Sequence, residues 1–379
     1  MNKAEQFIQN RLKQRADKGI LRSLSSLSST EFPSDFSSND YLGFARSAEL
    51  KTLTTNILNG LPDYKNGATG SRLLSGNHIF TEQTEQAIAT FHQAEAGLIF
   101  NSGYDANIGL ISSLAQRGDT IIADELIHAS LIDGGRLSHA NRYTFRHNDL
   151  NDLEAKLKAA KGNIYVLTES VYSMDGDIAP LVEINKLCIQ YQAELIVDEA
   201  HALGVFGDHG AGMVQMLGLE KEVFARIVTF GKALGCHGAI VLGSKNLRTY
   251  LINFARSFVF TTAAPVHSIA TVNAAYQMLA RADYSVKISS KINFYLNLIK
   301  YQSIETIQST STIQTVLFNN SIAAKAAAQK LQNKGLDVRA ILSPTVAEGR
   351  ERLRICLHLF NSEYEIEILV NELKTLKHE

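Results

Sequence analysis

Two short strings place groups able to do chemistry. Val228-Thr-Phe-Gly-Lys-Ala-Leu-Gly235 presents Lys232, and Val197-Asp-Glu-Ala-His-Ala-Leu-Gly204 presents Asp198 and His201. A lysine amine forms a Schiff base with an aldehyde, and a buried carboxylate keeps a pyridine nitrogen protonated. Together they are the equipment for holding pyridoxal 5'-phosphate, whose protonated ring takes up the electrons of a carbanion. Thr229, three residues before the lysine, offers a hydroxyl to the phosphate. Gly231 lets the backbone come close without a Cβ in the way. This is not a Walker loop, since the required upstream glycine is missing and Ala233 stands where Ser or Thr would be.

Further groups follow other apolar runs. His128, in Asp124-Glu-Leu-Ile-His-Ala-Ser130, can stack on a pyridine ring and donate a proton from its edge. Asn101-Ser-Gly-Tyr104 opens a helix, and free N–H groups at a helix start suit a phosphate. Arg352 and Arg354 alternate along a strand, so both face one side, where a guanidinium suits a substrate carboxylate. Read singly, each group has a plainer explanation. Asp198 fits a helix N-cap, His128 a surface imidazole, Asn101–Tyr104 a simple turn, and Lys232 or either arginine a solvated side chain. A zinc centre using His201 and His209 lacks any comparable ligand spacing, so no metal is expected. The combination decides, because no common structural reason brings all these groups to successive strand ends.

The elements that must position them read as an α/β protein. Strands are expected at 97–100, 120–123, 164–167, 195–197, 226–229 and 239–242. Helices are expected between them at 81–92, 107–116, 150–160 and 180–191. Strands separated by helices imply a largely parallel, doubly wound sheet buried on both faces, with ligands at the carboxyl ends of its strands. Helical patterns at 267–282 and 286–300 lead to a smaller α/β unit. It has strands at 313–318, 337–341 and 353–357 and helices at 322–334 and 362–377. The expected organisation is an N-terminal helical arm over 1–40, a large cofactor-binding domain over 41–280 and a small C-terminal domain over 281–379. The arm is read as helical from about 3 to 24, with a Ser-rich linker over 23–38.

Bulk properties exclude several classes. The chain has 379 residues and a formal net charge of −1, which offers no field for nucleic acid or an anionic membrane. Its three cysteines form no CxxC pair, so a disulfide or zinc framework is not expected. No apolar run approaches the roughly 18–20 residues that span a bilayer, and the charged N-terminus has no signal-peptide core. A cytoplasmic protein is the expectation.

The motifs resemble those of the α-oxoamine synthase family of fold-type I pyridoxal-phosphate enzymes. The matching strings include Ser38-Asn-Asp-Tyr-Leu-Gly43, Gly67-Ala-Thr-Gly-Ser-Arg-Leu-Leu-Ser-Gly76, Asn101-Ser-Gly-Tyr104 and Asp124 to Ser130. They continue through Thr168-Glu-Ser-Val-Tyr-Ser-Met-Asp-Gly-Asp177, Asp198 to Gly204, Thr229 to Gly235, Phe260-Thr-Thr262 and Pro344 to Arg354. The resemblance implies a decarboxylating condensation of an amino acid with an acyl thioester. It makes Lys232 the cofactor's anchor and the general base, Asp198 the partner of the ring nitrogen, and His201 and Ser173 the holders of the phenolic oxygen. His128 stacks on the ring. Gly103, Tyr104 and Thr229 surround the phosphate, with Thr261 and Thr262 supplied across a homodimer interface. Asn39 and Arg354 take the amino-acid carboxylate, and Arg22 and Thr345 lie on the acyl side. Gly231 before the lysine resembles the branch joining L-alanine to a pimeloyl thioester, on coenzyme A or acyl carrier protein, in biotin synthesis. Glycine- and serine-using branches are the alternatives. So, outside the family, are an aminotransferase and a cofactor-binding protein without turnover. Cys236-His237 departs from the smaller residues typical after the lysine loop.

Overall fold

The computed structural model describes residues 2–378 apart from 18, 23, 25–31, 62, 303 and 305. Half of the Ser-rich linker expected over 23–38 lies outside the described residues.

Seven strands form the central sheet, in the order Ala96–Phe100, Ala239–Gly243, Ala225–Thr229, Glu194–Asp198, Ile164–Glu169, Thr120–Asp124 and Asn141–Phe145. Ala239–Gly243 runs antiparallel to both of its neighbours, and the remaining pairs are parallel. The inner strands are mostly apolar because helices cover both faces, although Ala225–Thr229 also buries Arg226, paired with Glu199. Ile196, Val197, Ile227 and Val228 are almost fully buried, and each stabilises the fold by roughly 1.5–3 kcal/mol. The outermost strand, Asn141–Phe145, is absent from the sequence expectation. Four of its five residues are exposed, so it carries no apolar alternation by which to find it. Helix Ala129–Leu137 was also not expected, since its two glycines and short length weaken the pattern.

A three-stranded antiparallel sheet, ordered Arg339–Ile341, Glu351–Cys356 and Ile313–Phe318, forms the C-terminal part. Helices Ser321–Asn333 and Glu363–His378 accompany it. Leu353 and Ile355 of this sheet share one core with Val228 and Phe230 of the large one, and Phe36, Tyr41 and Leu42 lie between them. The segment Ser38–Gly43 is thus a strap across the two sheets. Its grip is polar as well as apolar. His358 Nε2 lies 2.9 Å from the Ser38 carbonyl, Asn361 Nδ2 donates to the Asp35 carbonyl, and Arg46 sits 3.7 Å above the Phe360 ring. Gly235 packs so closely on Ala45 that a Cβ would lie 2.1 Å from the Ala45 nitrogen, which locks the lysine loop to the strap.

The N-terminal helix covers Lys3–Asp17 and buries none of its residues. It is shorter than the helical pattern over 3–24 suggested. Gly19, at φ +65°, turns the chain, with its N–H bonded to the Ala16 carbonyl. Among the described residues, no helix is long and apolar enough to cross a membrane.

Candidate active site

The carboxyl ends of four neighbouring strands present Thr229, Asp198, Glu169 and Asp124. Thr229, Asp198 and Glu169, with residues of the loops beyond, line a cleft of about 340 Å³. Asn39, Gly103, Asn107, His128, Ser130, Lys232 and His237 also face it. Asp198 is buried and doubly held. Its Oδ1 accepts from the Ala200 N–H at 2.9 Å and its Oδ2 from Asn107 Nδ2 at 2.8 Å. A buried carboxylate needs such partners, and the set leaves acceptor capacity on Asp198 for a further donor. Helix Gly103–Leu114 begins at the same edge, capped by the Ser102 side chain. A Cβ at Gly103 would approach Thr229 Cγ2 to 2.6 Å, so only glycine fits there.

Lys232 reaches into the cleft, with Nζ 2.8 Å from His201 Nε2. Tyr41 OH lies 2.7 Å from the other ring nitrogen, Nδ1. Burial and the neighbouring Lys232 charge hold His201 well below the usual imidazole range. Burial pulls the Lys232 amine down to about 8 against the opposing pull of Asp198. A lysine so placed gives and takes protons near neutral pH. Burial, followed by the Asp198 charge, pushes Glu169 upward.

On the side of the small sheet, Arg354 is buried and threefold anchored. Nε donates to the Ser173 carbonyl at 2.7 Å, Nη2 to Asn39 Oδ1 at 3.0 Å and Nη1 to Cys356 Sγ at 2.9 Å. Arg352 shares its face, as the alternation required, but pairs with Asp175. The two arginines are thereby distinguished, since only Arg354 contacts Asn39 at the cleft. The loop carrying Ser173 and Asp175 is braced from behind by His147. Its ring lies 3.0 Å from Asp124 Oδ1 and 2.6 Å from Asp177 Oδ2.

The other residues singled out from the sequence divide between the cleft and two other hollows. Tyr104 lines the cleft, but its hydroxyl donates to Asp133 at 2.7 Å, which leaves its backbone N–H at the helix start. Thr261 and Thr262 line a separate chamber with Arg72 and Phe258, where Asn101 Nδ2 donates to the Thr262 carbonyl at 2.8 Å. Arg22 and Thr345 face each other across a groove of about 310 Å³ between the end of the N-terminal helix and the cis-Pro344 segment. His237 lies at the cleft, and the Cys236 thiol donates to the Leu234 carbonyl, with its pKa pushed up to about 12 by burial. Asn107, Ser130 and Glu169 escaped the sequence reading as site residues. Asn107 sits within a helix beyond the Asn101–Tyr104 string, and Ser130 and Glu169 lie inside longer matching strings that give them no role of their own.

The residues present fit pyridoxal phosphate. Thr229 Oγ1 is buried with no hydrogen-bond partner among the described residues, beside a helix start and a glycine that leave room for an anion. An amine, an acceptor-bearing carboxylate and an imidazole converge on the same cleft. This is the arrangement of an α/β enzyme with a lysine and an aspartate at neighbouring strand ends.

Residues 34–373 match the family described as Aminotransferase class I and II, and the chain belongs to that family. It is 42% identical, over 96% of its length and 93% of the relative's, to 8-amino-7-oxononanoate synthase of Emericella nidulans. It is 36% identical, over 97% and 96%, to 8-amino-7-oxononanoate synthase 2 of Bacillus subtilis. Among solved structures, serine palmitoyltransferase of Sphingomonas wittichii superposes with a TM-score of 0.89 at 28% identity, covering 100% of this chain and 98% of that one. The 8-amino-7-oxononanoate synthase of Francisella tularensis gives 0.79 at 29%, covering 91% and 98%.

Proposed function

We propose that the chain is a pyridoxal-phosphate-dependent acyltransferase that condenses L-alanine with a pimeloyl thioester. The products are 8-amino-7-oxononanoate, CO2 and the free thiol, a step of biotin synthesis. The observation that carries this reading is the cleft itself, lined by Lys232, Asp198, His128 and Asn39, with Arg354 bonded to Asn39. Whole-length identity to synthases of that name supports it. The higher superposition score with a serine palmitoyltransferase reflects a backbone shared by branches of one family. It does not weigh on which amino acid is taken.

Bound in the cleft, pyridoxal phosphate supplies an electron sink for bonds broken at the amino acid's Cα. Lys232 would hold it by its aldehyde, Asp198 would accept from its ring N–H, and Thr229 with the N–H groups of Gly103 and Tyr104 would hold its phosphate. His201 and Ser173 would flank its phenolic oxygen. The remaining work belongs to side chains. Arg354, preset by the Ser173 carbonyl and by Asn39, binds the substrate carboxylate and orients Cα. The Lys232 amine, with its lowered affinity for protons, takes the proton from Cα and can return it. His128 offers its ring face and one nitrogen to the group that must leave as CO2. Arg22 and Thr345 serve the acyl portion of the thioester, carried on coenzyme A or acyl carrier protein. Thr261 and Thr262, which line a separate chamber and not the cleft of their own chain, would reach a second cleft in a homodimer. The three free cysteines agree with a reducing, cytoplasmic setting.

The experiment is a visible absorbance titration of the pyridoxal-phosphate-loaded protein with L-alanine, glycine and L-serine. A saturable shift with alanine, far weaker with the others, supports the reading. A preference for glycine or serine retains the family chemistry and overturns the named substrate. A protein with no chromophore after pyridoxal phosphate is added overturns the enzyme reading.

A further inference from the structure

We infer that Asn107 and Ser130 form a hydrogen-bond relay from Asp198 that fixes His128 in one tautomer, with its proton on Nε2. The donor directions follow from the contacts. Asn107 Nδ2 lies 2.8 Å from Asp198 Oδ2. A carboxylate only accepts, so the nitrogen end of the amide must face it, and the orientation of Asn107 is set. The same nitrogen lies 2.9 Å from Ser130 Oγ, so that hydroxyl accepts from Asn107. Its own proton then has one destination, His128 Nδ1, at 2.7 Å. The Ser130 backbone N–H points at the same atom from 3.2 Å, because His128 caps helix Ala129–Leu137. Two donors aimed at Nδ1 leave it only a lone pair to offer. The ring proton of the neutral imidazole therefore sits on Nε2, the nitrogen not tied into the fold.

The relay rests on the proposed role of His128 beside the substrate and gives that role a defined donor. The groups around the ring come from four elements. Asp198 and Glu169 end neighbouring strands, Lys232 follows a third, and Asp133 lies on the helix that His128 caps. Burial lowers the His128 pKa, Asp198 opposes this, and Lys232 adds to it. The net shift is below the usual imidazole value. Asn107 and Ser130 are positioning residues, since they act through His128. Their effect is that an uncharged N–H meets the substrate carboxylate at one place over the whole pH range above that pKa. The bond from Asn107 also ties this donor to the carboxylate that would serve the cofactor ring.

The test uses holoenzyme labelled with ¹⁵N-histidine and long-range proton–nitrogen correlation spectra, with the His128 signals assigned from the His128→Gln variant. The expected result is an unprotonated Nδ1 and a protonated Nε2 at pH 7.5, with titration below 6.5. Ser130→Ala removes one donor to the lone pair and moves the titration upward by about half to one pH unit. Ser130→Cys, a weaker donor of similar size, gives a smaller upward shift. A proton on Nδ1 in the unaltered enzyme overturns the relay, as does an unmoved titration in Ser130→Ala with its cofactor absorbance intact. These spectra read the ring whichever amino acid the enzyme takes, so they stand or fall apart from the alanine titration.

Discussion

Two hollows of nearly equal size, about 340 and 310 Å³, are built in opposite ways. The strand-end cleft is walled, and backed through Asn39 and Lys232, by groups already bonded to one another. Asp198 is held by two donors, Arg354 by three acceptors, and His201 stands between Tyr41 and Lys232. The groove beside Arg22 has one wall on the C-terminal segment 340–345 and another at the foot of a helix that buries nothing. Among the described residues Arg22 has no hydrogen bond or ion pair, and Lys325, which also lines the groove, donates to the Gly19 carbonyl. Fixed dipoles suit bond-breaking, where reorganisation costs rate. A loosely walled groove suits a long acyl chain, which needs room more than orientation.

The largest effect that would break this comparison lies at Lys232. Lys232→Ala is expected to lower product formation by at least about a thousand-fold, the scale of a lost general base, as measured by thiol release. Retained turnover would remove the distinction between the two hollows. Arg354→Ala comes next. It is expected to weaken amino-acid binding by about 1.5–3 kcal/mol, typical for hydrogen bonds to a charged group, as read in the alanine titration. An unchanged titration would assign the substrate carboxylate to another residue.

A smaller effect belongs to the brace behind the cleft. Burial alone would lower the His147 pKa, but bonds to Asp124 and Asp177 outweigh it and raise the group to about 9. A raised histidine stabilises the fold fully below its unfolded value near 6.5, and that contribution is lost as pH climbs through 9. After allowance for partial exposure, the loss is about 2 kcal/mol. Denaturant unfolding at pH 6 and pH 9.5 should show this decrease in the parent and not in His147→Gln. An equal decrease in both would show that the clamp does not titrate as described.

The same division governs what the sequence made legible. The short apolar runs Leu195–Val197 and Ile227–Val228, ending in Asp198 and Thr229, are visible because both faces of the sheet are buried, whereas the buried Arg226 beside them is held by Glu199, a partner on another strand's loop. Arg352 and Arg354 could be assigned to one face by strand alternation, yet only the structure showed Arg352 pairing with Asp175. Asn107 is legible as one residue of a helix and not as a bridge, since the bridge spans three elements distant in sequence. Asn141–Phe145 was missed because an exposed edge strand loses the pattern that burial imposes. Thr261 and Thr262 matched a motif, but a motif does not say which cleft they serve, and their own chain places them beside Asn101.

The smallest effect sharpens the comparison most, because it asks whether the groove contributes anything to the amino acid. Arg22→Ala removes an exposed cation with no partner among the described residues, so stability should change by no more than about 0.5 kcal/mol. The alanine titration should also be unmoved, since Arg354 and Asn39 are untouched. The change should fall on the acyl thioester, as a rise in its KM of about two- to tenfold, the scale of a lost ion pair in a solvent-facing groove. That rise should shrink as salt is added, because an exposed charge is screened. If alanine binding weakens instead, the two hollows share one substrate, and the N-terminal arm would have to close over the strand ends rather than border a separate groove.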